Sequence, residues 1–142
     1  MQVQEIMTPR AKVIDPNTNI AEAARAMRSD NIGALPVGEN DRLVGMVTDR
    51  DIAMRAVAEE RPSGNTAVRQ VMSERVYYCF EDDDVEQAAK VMAEHQVHRL
   101  PVLNRDKRLV GILALADLAR SDTDAMKTAL AGISEPTDQP RR

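Results

Sequence analysis

The sequence predicts an α+β protein made of two copies of one β-α-β-β-α unit, and three observations lead there. The chain repeats itself: Leu43-Val44-Gly45-Met46-Val47 returns as Leu109-Val110-Gly111-Ile112-Leu113, and Asp51 returns as Asp117, an offset of 66. Upstream the offset is 65, so that Val3 meets Val68, Met7-Thr8 meets Met72-Ser73, Ala23-Ala24 meets Ala88-Ala89, and Leu35-Pro36-Val37 meets Leu100-Pro101-Val102. Within each copy, short apolar runs of strand length alternate with apolar residues at helical spacing. At 142 residues in all, each copy is near the size at which a lone core is marginal, so the halves are expected to pack their apolar faces together.

In chain order, Val3 to Met7 reads as a lead-in helix ending near Pro9, and Val13-Ile14 as a brief strand before the turn Asp15-Pro16-Asn17. Asn19 with Glu22 three residues on is a capping-box signature. The helix it opens puts Ile20, Ala23, Ala24 and Met27 on one face and ends around Asp30-Asn31. Ala34-Leu35-Pro36-Val37 is a strand whose proline restricts it to an edge or an irregular position. A turn over 38–42 leads into the strand over 43–47. The next helix follows the turn over 48–51, with Ile52, Ala53, Ala56 and Val57 as its stripe, and fades near Glu59-Glu60. The turn formers of 61–65 make a linker.

The second copy keeps this order. Its lead-in runs to Met72, its first strand is Tyr77-Tyr78-Cys79-Phe80, and its first helix starts at Asp84 with Gln87 three residues on. Strands over 99–103 and 109–113 and a helix from near Asp117 complete it. Ala125, Met126, Ala129 and Leu130 add a short helix, and the polar tail from Ser134 is expected to be disordered. The expected organisation is 1–60 and 67–122 for the two copies, 61–66 for the linker and 123–142 for the helix and tail.

The turn over 48–51 is the stretch with chemistry. Thr48 supplies a hydroxyl and Asp51 a carboxylate three residues on, and an ionised carboxylate accepts well from vicinal hydroxyls such as those of a ribose. The N–H groups of the helix start favour an anion nearby. The structural alternative makes Asp51 a simple N-cap.

The repeat order and the Gly-apolar-apolar-Thr-x-x-Asp stretch resemble the CBS domain, and two in tandem look like a Bateman module. The resemblance covers roughly residues 1 to 121, and Ile32-Gly33-Ala34-Leu35-Pro36-Val37 with Thr48-Asp49-Arg50-Asp51-Ile52 is nearest to short bacterial pairs. It implies two βαββα CBS repeats packed as a pseudo-twofold pair, with two clefts for adenosyl ligands. AMP, ADP or ATP is the implied class, with NAD and S-adenosylmethionine as further candidates and none an obligatory cofactor. Carried over by position, the first cleft takes Met46, Thr48, Arg50 and Asp51 from repeat one, and Val76, Tyr77, His98 and Arg99 from repeat two. Val76 and Tyr77 would wall the adenine, while His98 and Arg99 offer donors to phosphate. The second cleft would use Arg10, Lys12 and Asp117. It is expected to bind less tightly, because Ala114 stands in place of Thr48, and Gly33-Ala34 in place of His98-Arg99.

The formal charge of −4 and pI near 5.2 argue against a nucleic-acid surface. A single cysteine, Cys79, rules out an intrachain disulfide framework and suits a reducing compartment. With no signal-peptide pattern and no apolar run of membrane-spanning length, a cytoplasmic protein with no membrane partner is expected. The core must be built from aliphatic residues and eight Met, since aromatics make up only 2%. No Ser-His-Asp set, phosphate-cradling Gly loop or catalytic carboxylate pair emerges, so an enzyme is not expected. His95, His98 and Cys79 lack a repeated zinc-ligand spacing, and Asp82-Asp83-Asp84 reads first as a helix cap rather than a Mg²⁺ site. The expected role is a sensor, homodimeric through its wide apolar helix faces, that passes nucleotide occupancy to an unidentified effector protein. The alternative is a dimeric stress-related interaction scaffold that has kept the fold and lost the ligand.

Overall fold

Asn19 opens the first helix by side-chain chemistry: its Oδ1 accepts from the Glu22 N–H at 2.9 Å, which satisfies one orphan donor of the first turn. The computed structural model describes residues 1–10 and 12–136. Helix α1 spans Ile20–Asp30 and stops at Asn31, whose left-handed backbone (φ 52°) breaks the hydrogen-bond ladder. Ile20, Ala23 and Met27 are buried as the spacing requires, but Ala24 is exposed, against expectation. Strands β2 (Ala34–Glu39) and β3 (Arg42–Thr48) then form an antiparallel pair, and β3 runs directly into α2 (Asp49–Ile52).

After Ile52 the helix widens into a π-helical turn, Ala53–Val57, in which the Ala58 N–H donates to the Ala53 carbonyl five residues back at 2.9 Å. The expected stripe of Ile52, Ala53, Ala56 and Val57 assumed an ordinary α-helical period. In the widened turn only Ala56 is fully buried and Ile52 half-buried, while Ala53 and Val57 face solvent.

The second repeat supplies β4 (Cys79–Phe80), α3 (Val85–His95), β5 (Arg99–Leu103), β6 (Leu109–Ala114), α4 (Leu115–Ser121) and α5 (Thr123–Ile133). With β1 (Thr8–Pro9), the strands form a sheet in the order β1-β6-β5-β4. Several sequence expectations shrink here. The lead-in helix is a single 3-10 turn, Val3–Glu5, the strand expected over 77–80 is confined to Cys79–Phe80, and the one expected at Val13-Ile14 is a single bridge from Ile14 to Val37. Pro101 was expected at an edge, yet β5 lies inside the sheet. In the equivalent strand the Pro36 carbonyl accepts from Ile14 N–H at 3.0 Å, so the proline nitrogen faces away from β3 and no antiparallel ladder bond is lost.

Two compact units result, one from Lys12–Val76 and one from Met1–Ala11 with Tyr77–Arg142. The lead-in segments are thus exchanged. Residues before Ala11 pack with the second repeat: Thr8 pairs with Ile112, and Val3 N–H donates to Asp83 O at 2.9 Å. The second lead-in does the same for the first repeat, with Val68 N–H donating to Thr18 O at 2.7 Å and Met46 bridged to Ser73. The repeated glycine explains how the backbones come so close. A Cβ on Gly111 would lie 2.6 Å from the Thr8 carbonyl oxygen, and one on Gly45 would lie 2.8 Å from that of Ser73. Each core includes the exchanged valines. Val68 and Val71 are fully buried with Ile20, Leu35 and Val47, and Val3 is fully buried with Met92, Leu100 and Leu113.

Helix α5 distinguishes the second unit. Ala125, Ala129 and Ile133 join the buried cluster of α3, which is why Ala89 is buried while its counterpart Ala24 is not. Of the four residues expected to face inward, Ala125 and Ala129 do so, whereas Leu130 is exposed. Gly132 lets the helices touch, since a Cβ there would sit 2.2 Å from the Ala93 methyl carbon. Gln96, the left-handed cap of α3, donates its side-chain amide to the Gly132 and Glu135 carbonyls. The expected disordered tail lies outside the described residues from 137 onward, as does Ala11.

Candidate functional site

At the end of β3 the turn from strand to helix is closed by Thr48 and Asp51 on each other. The Thr48 Oγ1 accepts from the Asp51 N–H, and the Asp51 Oδ2 accepts from the Thr48 N–H, both at 3.0 Å. Thr48 is therefore the N-cap and Asp51 stands at the third helical position of a capping box, which corrects the alternative that made Asp51 the cap. Asp51 is only 2% exposed. The backbone N–H and the positive end of the helix make that burial tolerable. Its Oδ1 lies 4.0 Å from Arg55 Nη1, but Arg55 spends its hydrogen bonds on the carbonyls of Val71 and Met72, at 3.1 and 3.2 Å. The Thr48 hydroxyl accepts in the box and still has a hydrogen to donate.

Met46 lies two residues before Thr48 and exchanges both backbone hydrogen bonds with Ser73, at 2.9 and 2.8 Å. That bridge carries the chain past the end of β3 to an exposed Arg75 and a half-buried Val76. Met46, Thr48, Arg50, Asp51 and Val76 thus all belong to the first-repeat unit, with Arg50 exposed.

Tyr77, His98 and Arg99 belong to the second-repeat unit. The Tyr77 ring is stacked on His95, with centroids 3.6 Å apart and planes within 8°, so one of its faces is already covered. His98 is exposed, and its carbonyl accepts from Leu115 N–H at 2.9 Å. Arg99 is half-buried at the start of β5, opposite Ala114. Their counterparts repeat the backbone geometry without the side chains: Gly33 O accepts from Asp49 N–H, and Ala34 stands opposite Thr48.

The second strand-to-helix turn keeps the buried acid, with Asp117 3% exposed and its Oδ2 accepting from Ala114 N–H at 2.8 Å. Its Oδ1 is held by Arg120 Nη2. Arg10 is exposed in a left-handed conformation, its N–H on the Val110 carbonyl, whereas Lys12 belongs to the other unit and is ion-paired with Asp30 at 3.2 Å. Sequence reasoning overlooked Arg55, His95 and Arg120. Arg55 and Arg120 follow their aspartates by four and three residues, the spacing at which helical side chains meet, and that signal was there to be read.

The acidic run is consumed locally. Asp82 pairs with Arg105 at 2.7 Å, Asp83 accepts from Phe80 N–H, and Asp84 accepts from Glu86 N–H as the cap of α3. The Arg105 guanidinium holds the Asp82 carboxyl below its ordinary pKa and lies 4.1 Å above the Phe80 ring centre. Burial, helped by Asp83, pushes the Cys79 thiol up to about 12. Among the described residues, no three His, Cys, Asp or Glu side chains gather as a metal site.

The CBS domain family model matches residues 3–57 and 68–124. The chain is 42% identical over 134 residues to the CBS domain-containing protein YhcV of Bacillus subtilis, covering 93% of this chain and 94% of that protein. Hypoxic response protein 1 of Mycobacterium tuberculosis is 36% identical over 118 residues, 82% of each chain. A crystal structure of Hypoxic Response Protein I, with two coordinated zinc ions, superposes with a TM-score of 0.79 at 35% identity, covering 85% of this chain and 98% of that one. The CBS domain pair of protein MJ0100, solved in complex with 5'-methylthioadenosine and S-adenosyl-L-methionine, gives 0.73 at 29% identity, covering 84% and 94%. CBSX2, solved in complex with AMP, gives 0.73 at 26% identity, covering 87% and 96%. The repeat seen in the sequence, its strand-to-helix turn and these matches agree: the chain belongs to the CBS-domain family and carries two copies of the domain.

Proposed function

We propose that this protein is a cytoplasmic regulatory module that binds one adenosine-containing nucleotide per chain at the Thr48–Asp51 turn, acts as a homodimer and passes occupancy to a separate effector protein. The observation that carries the reading is the capping box itself. It fixes a buried carboxylate and a hydroxyl at a helix start, a combination suited to a ribose diol with an anion close by. The adenosyl ligands of the MJ0100 pair and the AMP of CBSX2 support the ligand class. Tyr77, His98 and Arg99 enter this reading through the family resemblance, and Arg50 as an exposed cation beside the turn.

Ligand binding to the native state raises the melting temperature, so a thermal-shift screen of AMP, ADP, ATP, NAD and S-adenosylmethionine tests the reading. At least one of these is expected to stabilise the chain. That gain should be lost in Asp51→Ala and Arg99→Ala and kept in Asp117→Ala, each compared with its own ligand-free melt. Equal losses from Asp51→Ala and Asp117→Ala contradict the assignment to one turn. No shift with any of the five supports the interaction-scaffold reading instead.

A further inference from the structure

The two strand-to-helix turns differ in one contact that the motif does not describe. Both aspartates are buried, and both give Oδ2 to the backbone N–H at the head of the helix. In the second-repeat unit the other oxygen of Asp117 is hydrogen-bonded to the Arg120 guanidinium, an i, i+3 pair on α4. In the first repeat the position equivalent to Arg120, at the offset of 66, is Met54, which carries no charge. The neighbouring Arg55 is drawn instead to the Val71 and Met72 carbonyls by the π-helical turn and the exchanged lead-in.

Resting on the nucleotide reading above, we infer that Arg120 is a specificity-determining residue that keeps the Asp117 turn closed to adenosyl ligands. A ribose hydroxyl must displace a charge-assisted hydrogen bond to reach Asp117 Oδ1, whereas no cation stands at position 54 to impose that competition on Asp51. The missing hydroxyl at Ala114 lowers affinity further, and Arg120 acts independently of it. The guanidinium side chain is largely exposed, so it can be replaced without disturbing the core.

The test is calorimetric titration of AMP into the full chain and into Arg120→Met, with Arg120→Ala as a second variant. Wild type is expected to show one dominant site. Arg120→Met is expected to reveal a second site per chain, tighter by roughly tenfold or more than its wild-type counterpart, and adding Asp117→Asn should abolish it. Conversely, Met54→Arg is expected to weaken the first site by a similar factor while the uncharged control Met54→Gln leaves it unaltered. If wild type binds and Arg120→Met leaves stoichiometry and affinity unchanged, or weakens binding, the inference is overturned and the nucleotide reading stands. If only Arg120→Met binds, Arg120 has the role inferred and the Asp51 assignment is wrong. If no variant binds AMP, both are overturned.

Discussion

Asp51 and Thr48 hold each other, so the residues proposed to meet a ligand also start a helix. Removing the hydroxyl should therefore have two separable effects. The second repeat forms the same turn with Ala114, so Thr48→Ala is expected to fold and to lose about 1 kcal/mol, the usual worth of an N-cap, in urea unfolding. Nucleotide affinity should fall as well. Cys79 gives a sharper reading of burial. Its thiol is 2% exposed and pushed up to about 12 from the ordinary 9.0, so it should resist a thiol reagent at pH 8 in the native state and react fully in denaturant. The folded chain keeps this proton while the unfolded chain releases it, so stability should be insensitive to Cys79 below pH about 9 and decline from there toward 12. Thr48, Asp51 and Asp117 were legible in the sequence because they repeat. Arg120 and Arg55 were not, because they differ between the copies and a repeat alignment draws the eye to what is shared.

At the scale of elements, the helices were legible where capping and period agree. Asn19, Asp84 and the left-handed Asn31 and Gln96, 65 residues apart, bound α1 and α3 as the sequence implies. The stripe after Ile52 was misread because the π-helical turn has no signature in an apolar pattern of four residues. The exchange of lead-ins was also hidden, since β1 is a two-residue strand with no period to read. Its trace was the repeated glycine. With a backbone oxygen 2.6 Å from the position of its missing Cβ, Gly111→Ala should displace β1 and cost about 1–3 kcal/mol. The measurement is the urea midpoint, and a variant as stable as wild type would mean that β1 does not cross Gly111. Gly132→Ala should likewise push α5 from α3, while α1, which has no such cover among the described residues, stays unaffected.

For the whole molecule, the tandem repeat visible in the sequence is what carries both the fold and the asymmetry of its two turns. Cα-level similarity between the repeats hides that one copy has gained α5 and an Arg120 lock, while the other leaves Met54 and Val57, 56% and 69% exposed, on its π-helical turn. Burying those two side chains against a second copy is favourable, so sedimentation at micromolar concentration is expected to give a homodimer that Val57→Glu weakens. A wild-type monomer would count against it. An effector can read occupancy only if the ligand changes more than its own contacts, and the Met-rich, aromatic-poor core leaves room for such repacking. Hydrogen exchange with and without saturating AMP tests the central claim most directly, because it locates the ligand by residue. The account predicts slowed exchange over 45–51, altered exchange in the linker over 61–65 or in α5, and little change over 111–117. Protection centred on 111–117, with 45–51 unchanged, would contradict it.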